Sequence, residues 1–128
     1  MTSVLVVDDD PMMREILRAL LEAAGHEVVL ADDGREGLAR ISEVRPGAVM
    51  VDSQMPGIGG GEVIREIRAG AASGMAVVLM SGENTEAEVG AGLDAGADVY
   101  LVKPFAPGDV FAALAEALRL RPPEGTSR

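Results

Sequence analysis

The chain has 128 residues, 48% of them apolar, with 21 acidic against 11 basic side chains and a formal charge of −10 at pH 7. That length suits one domain with a proper core rather than two, and a polyanion gains nothing from counterion release, which argues against nucleic acid as a partner of this chain alone. Without cysteine there are neither disulfides nor thiolate metal sites.

Two Phe, one Tyr and no Trp leave the core to Val, Leu, Ile, Met and Ala, which suits parallel strands covered by helices on both faces. No basic stretch followed by an apolar run opens the chain as a signal peptide would. The apolar runs Val4–Val7 and Met75–Met80 are far too short to cross a bilayer. The expectation is a cytoplasmic protein with no membrane partner.

Strand and helix signals alternate from end to end. Ser3–Val7 is an aliphatic β run that stops at three aspartates, Asp8, Asp9 and Asp10. Asp10 has the character of a helix N-cap with Pro11 at the first helical position. Met13, Ile16, Leu17, Leu20 and Ala24 follow at helical spacing, and Gly25 supplies a stop. Glu27–Ala31 reads as a second strand. Asp33 and Glu36 suit a capping box opening a helix to about Val44, closed by Pro46–Gly47. Ala48–Val51 is a third strand running into Asp52. The Gly- and Pro-rich segment 53–61 is a loop before a helix over 61–69 that turns Val63, Ile64 and Ile67 inward.

Ala76–Met80 and Val99–Val102 complete the strands. The helix between them, about 84–95, is weakened by Gly90 and Gly92, each costing about 1 kcal/mol relative to Ala. Pro107 starts a last helix with Val110, Phe111, Leu114 and Leu118 on one face. Residues 1–121 make one domain, and 122–128 form a polar tail expected to be disordered. Five βα units of this size predict a flavodoxin-like, doubly wound three-layer (βα)5 sandwich with parallel sheet order 2-1-3-4-5.

In that topology ligands bind at the carboxyl ends of the strands, where strands 1 and 3 diverge. Strand 1 ends in Asp8 and Asp9, strand 3 in Asp52, strand 4 in Ser81, and strand 5 runs into Lys103. Singly, each has a plainer role: a turn or cap aspartate, an N-capping serine, a solvated lysine. Their gathering at one edge is what those roles explain badly. Three carboxylates a few ångströms apart repel unless one stays protonated or a hard cation joins them. Mg²⁺ suits oxygen ligands, retained waters and a phosphate, with Mn²⁺ as its substitute.

Val-Leu-Val-Val-Asp8-Asp9-Asp10, Asp52-Ser-Gln-Met55-Pro56-Gly57, Met80-Ser81-Gly82 and Tyr100-Leu-Val-Lys103-Pro104-Phe105 together resemble the receiver domain of two-component response regulators. The likeness spans about residues 3–120. It implies that Asp52 is the phosphoacceptor. Asp9, Asp52 and the backbone carbonyl of Gln54 would ligate Mg²⁺, and Asp8 would act through a bound water. Ser81 and Lys103 would hold the phosphoryl oxygens, the bond before Pro104 would be cis, and Tyr100 would swing inward when Ser81 moves. A histidine kinase or histidine phosphotransferase would be the donor, and an unknown downstream protein would read the surface of helix 4, strand 5 and helix 5. The initiating Met and polar tail favour the expectation of a stand-alone receiver of the chemotaxis or phosphorelay type, the alternative being one domain excised from a larger regulator or hybrid kinase. Such a domain is a phosphoacceptor with weak self-dephosphorylation rather than an enzyme.

Three departures from the pattern stand out: Gly59 where an acidic or amide residue is common, Ser81 for the commoner threonine, and Ala106 in place of an N-capping Asp or Ser. Two rivals remain. Asp8-x-Asp10 mimics the nucleophile motif of haloacid-dehalogenase-like phosphatases, but no cap insertion or late acidic pair accompanies it. A pseudo-receiver that binds partners without phosphorylation usually lacks one site residue, and none is lacking here.

Overall fold

The computed structural model describes residues 2–122, so the polar tail, apart from Pro122, lies outside the described residues. In chain order the elements are β1 (Ser3–Val7), α1 (Pro11–Ala23), β2 (Glu27–Ala31), α2 (Gly34–Val44), β3 (Ala48–Asp52), α3 (Gly60–Ala69), β4 (Ala76–Ser81), α4 (Glu86–Ala95), β5 (Val99–Val102) and α5 (Pro107–Leu120). The strands form one parallel sheet in the order β2-β1-β3-β4-β5, as the alternation implied.

Successive side chains of a strand point to opposite faces, and here both faces are apolar. Val4, Val6, Met50, Val78 and Met80 meet Leu17 and Leu21 of α1 and Val110 and Leu114 of α5. Leu5, Val7, Val49, Val51, Val77 and Leu79 meet Ile41 of α2, Val63, Ile64 and Ile67 of α3, and Ala95 of α4. This two-sided burial is why the strands read as unbroken aliphatic runs. It also makes the central strands rigid up to their carboxyl ends.

Helix punctuation follows the sequence with local corrections. The Asp10 carboxylate accepts from Met12 N at 3.0 Å and Pro11 opens α1. The Asp33 carboxylate accepts from Glu36 N at 2.8 Å, while the Glu36 side chain reaches Asp32 N instead of closing the box on Asp33. Thr85 caps α4 through Glu88 N, so that helix begins two residues later than its composition suggested. Ala106 provides no side-chain cap, and Asp109 compensates in part by accepting from Ala106 N at 2.9 Å.

Two apolar residues expected on inward faces are turned out. Ile16 is 45% exposed and Phe111 38% exposed. Each lies one residue off the stripe its helix presents to the sheet. On α5 that stripe is Val110, Ala113, Leu114 and Ala117, and small alanines fill the space against β4 and β5 where a phenyl ring would not fit.

A buried polar hub closes the amino-terminal edge of the sheet, remote from Asp52. The Asp98 carboxylate accepts from Val77 N (2.9 Å), Arg68 Nη2 (2.9 Å) and Arg121 Nε (2.9 Å). Arg68 also donates to the carbonyls of Gly96, Ser73 and Met75. Burial pulls the Arg68 guanidinium below its ordinary value, and the Asp98 charge opposes that pull. One carboxylate therefore ties together α3, β4, the α4–β5 connection and the end of α5. Replacing Asp98 by Ala strands the Arg68 cation. The expected loss is about 2–3 kcal/mol, less than for a fully buried pair because Arg68 keeps some solvent. Urea unfolding should show this loss, with a fall in Tm of about 10 °C.

Candidate functional site

Strand register brings the chemistry together. Val7 pairs with Val51, which sets Asp8 beside Asp52 at the next step of the two strands. Asp52 in turn is level with Met80, and Ser81 with Val102. The Lys103 amide then donates to the Ser81 carbonyl at 2.7 Å. Both β3 and β4 run one residue further than the aliphatic pattern alone indicated, so Asp52 and Ser81 are held as strand residues rather than as loop residues.

The Asp52 seat depends on a close approach. Gly60 N donates to the Ser53 carbonyl at 3.0 Å. A Cβ on Gly60 would lie 2.4 Å from the Asp52 carbonyl oxygen and 2.9 Å from Ser53 Cα. Only glycine lets the start of α3 close over that peptide. Gly59, where a polar residue is common, serves as the N-cap of α3 without a side-chain bond.

Three carboxylates meet one ammonium here. Oxygens of Asp8, Asp9 and Asp52 lie within 4.8 Å of one another, with Asp8 and Asp52 buried and Asp9 exposed. Lys103 Nζ is 3.2 Å from Asp8 Oδ2 and 3.2 Å from Asp52 Oδ1. The Lys103–Pro104 peptide bond is cis. Asp8 is fully satisfied: its amide donates to the Ala31 carbonyl, Oδ1 accepts from Asp10 N, and its carbonyl accepts from Arg14 Nη1. Asp9 accepts no hydrogen bond from any described residue. Gln54 is exposed in the turn after β3.

Burial raises the Asp52 carboxyl above the ordinary aspartate value and Asp8 raises it further. Lys103 pulls the other way, and Asp9 adds a smaller push upward. Burial alone would depress the Lys103 ammonium, yet Asp52 and Asp8 outweigh it and hold it above the usual lysine value. The two partners shift in ways that do not mirror each other because Lys103 faces only opposite charges, whereas Asp52 faces two like ones. An excess of negative charge in a half-dry place is what a divalent cation would relieve, so the residues fit one.

Ser81 is buried, and its Oγ accepts from Glu83 N at 3.1 Å. The Tyr100 hydroxyl donates to the Glu83 carbonyl at 2.6 Å. Ser81 and Tyr100, far apart in sequence, thus grip one residue of the β4–α4 connection. A separate concavity of about 860 Å³ opens at the opposite edge, lined by Leu38, Ile41, Arg45, Glu66 and Met75 among others, and contains none of these groups.

The family model for the response regulator receiver domain matches residues 4–115. The chain belongs to that family. Response regulator MprA of Mycolicibacterium vanbaalenii is 43% identical over 121 residues, covering 94% of this chain and 52% of the relative. The DNA-binding response regulator MtrA of Mycolicibacterium smegmatis is 37% identical over 116 residues, covering 91% and 50%. The chain therefore spans about half the length of these curated relatives. Among solved structures, Vibrio cholerae chemotaxis protein CheY4 superposes with TM-score 0.88 at 32% identity, covering 92% of this chain and 99% of that one. A Clostridium thermocellum receiver domain protein gives 0.86 at 30% identity, covering 93% and 95%.

Receiver domains accept phosphoryl groups in two-component signalling, from histidine kinases, and bind Mg²⁺ in an acidic pocket of this kind. They are phosphoacceptors rather than enzymes in the usual sense. Asp10, which made a phosphatase motif conceivable, is a helix cap in this receiver. No helix among the described residues is long and apolar enough to cross a membrane.

The raised Asp52 value has a consequence for stability. A carboxyl whose folded value exceeds its unfolded one favours folding most when protonated, below about pH 4. That contribution is lost as pH rises through the folded value. Asp52→Asn should therefore melt higher than the wild type at pH 7. The difference should shrink toward zero below about pH 4, and equal melting at all pH values would contradict it.

Proposed function

We propose that Asp52 of this receiver takes the phosphoryl group of a phosphohistidine, on a histidine kinase or histidine phosphotransferase, and that the acyl phosphate resets the α4–β5–α5 surface read by a downstream protein in the cytoplasm. One observation carries the proposal: a buried Asp52 with Asp8 and Asp9 within 4.8 Å and Lys103 Nζ at 3.2 Å.

In the transfer the Asp52 carboxylate forms the new P–O bond as the P–N bond of the donor breaks, and the imidazole leaves with a proton from solvent. Such a transfer is mostly positioning and charge stabilisation. Asp52 is positioned by β3 and the Gly60 approach. Lys103, already bonded to the Asp52 oxygen, neutralises the arriving phosphoryl oxygens. A bound Mg²⁺ or Mn²⁺, ligated by Asp9, Asp52 and the Gln54 carbonyl with Asp8 behind, would supply the remaining positive charge.

Ser81 reports the event. A hydroxyl has one donor and two acceptor sites, so Ser81 can keep accepting from Glu83 N while donating to a phosphoryl oxygen. Any displacement of Ser81 is felt at Glu83, and the Tyr100 hydroxyl holds the carbonyl of that same residue. Tyr100 in turn lies against α4. A Cβ on Gly92 would meet Leu79 Cδ2 at 2.7 Å and the Tyr100 ring at 3.0 Å, so this glycine is the seat in which the ring rests. Gly90 has open space around it and serves no such contact, so its effect is to weaken the helix. The two glycines thus act differently, one by fit and one by instability.

With acetyl phosphate and Mg²⁺ as the donor system, the wild type should take up label and Asp52→Asn should not. Asp8→Asn should keep it, and Lys103→Met should label about 100-fold more slowly. Label surviving in Asp52→Asn would refute the assignment. Beryllofluoride, a phosphoryl analogue, should change hydrogen exchange across residues 82–95. Strong and unaltered protection of that segment by a bound analogue would refute the switch.

A further inference from the structure

We infer that Arg14 is a positioning residue for the metal site, acting by fixing the peptide plane from which Asp9 projects; the inference rests on the acidic trio being the metal site proposed above. Arg14 Nη1 donates to the Asp8 carbonyl at 2.7 Å. That oxygen belongs to the rigid planar unit joining Asp8 to Asp9. Its orientation decides where the Asp9 Cα, and hence the Asp9 carboxylate, leaves the turn.

Asp8 is anchored four times over, through its amide, both carboxylate oxygens and its carbonyl. Three of these anchors hold the residue itself. The Arg14 bond alone grips the plane leading out of it. Asp9 has no hydrogen-bonding anchor of its own among the described residues, since it is exposed and its carboxylate accepts from no described donor. Its approach to Asp8 and Asp52 is therefore inherited from the backbone.

The bond is charge-assisted and short, the stronger class of hydrogen bond. It closes a small loop, because the Arg14 amide also donates to the Asp10 carbonyl at 3.0 Å. The first turn of α1 and the Asp8–Asp9 peptide are thereby clamped to each other. Beyond the clamp the guanidinium borders a cleft of about 180 Å³ shared with Asp32 and Glu36, on the β2 side of the site. The effect of Arg14 is assigned to this geometry.

Geometry and field predict opposite signs, which makes a clean test. A cation beside the trio repels a divalent cation, so deleting the charge should tighten metal binding if only the field matters. Loss of the clamp should weaken it, by about 10-fold for an outer partner of a metal ligand. Mg²⁺ binding to the wild type, Arg14→Met and Arg14→Gln would be titrated calorimetrically. Bound Mn²⁺ would be followed by electron paramagnetic resonance, at a temperature where circular dichroism shows all three folded. The expected order of affinity is wild type, then Gln, which keeps a donor, then Met. Arg14→Met binding as tightly as the wild type, or more tightly, overturns the inference while leaving the site reading intact. A wild type that takes up neither ion removes the site reading and the inference with it. Should Arg14→Met not fold, a Gln variant at wild-type affinity or above is the overturning result.

Discussion

Three carboxylates and one ammonium share a single edge of the sheet, and the molecule is organised around holding that imbalance. The charges do not gather because they attract. They gather because register is set by the aliphatic residues beneath them, which are buried on both faces and leave the strand ends no freedom to part. Lys103 bridges Asp8 and Asp52 but cannot neutralise both and Asp9 as well. Burial first, and the charge of Asp8 after it, raise the Asp52 carboxyl against the pull of Lys103. The hydrophobic layers on either side of the sheet sustain that imbalance.

The opposite edge is built from the same residue types with the opposite balance. There one carboxylate, Asp98, serves two guanidiniums and a backbone amide, and Arg68 spends its remaining donors on three carbonyls. Within that hub every charged group has a partner, although His26 Nδ1, just before β2 at the same edge, is buried without one. The carboxyl end of α4 is held by the Arg68 and Asp98 contacts. At its amino end the connection from β4 is gripped at Glu83, by Ser81 and Tyr100.

The sheet order and the converging strand ends were legible in the sequence because both follow from local pattern. Aliphatic runs of period-free character declare two-sided burial, and a parallel βα topology puts every strand's last residue at the same edge. Asp52, Ser81 and Lys103 needed no more than that. What was not legible depends on contacts across long stretches of chain. Arg68, Asp98 and Arg121 are separated by 30 and 23 residues, and each alone reads as an ordinary surface charge. Phe111 misled because periodicity gives a stripe's direction but not the size its partners tolerate, and α5 meets the sheet with alanines. Arg14 carries no motif, since its partner is a backbone oxygen that any residue type provides. The start of α4 falls two residues later than expected because Thr85 turns its hydroxyl back to Glu88 N and so acts as the cap, a bond that the residue types alone do not specify.

The Arg121 tie fixes more than stability. α5 runs back from the Lys103 end of the sheet, and its final turn is fastened to Asp98 at the far floor of the molecule. Pro122 sits at that floor, with the full height of the sheet between it and Asp52. A partner seated there is out of earshot of the acid edge, and any message between the two has to cross a flank of the domain.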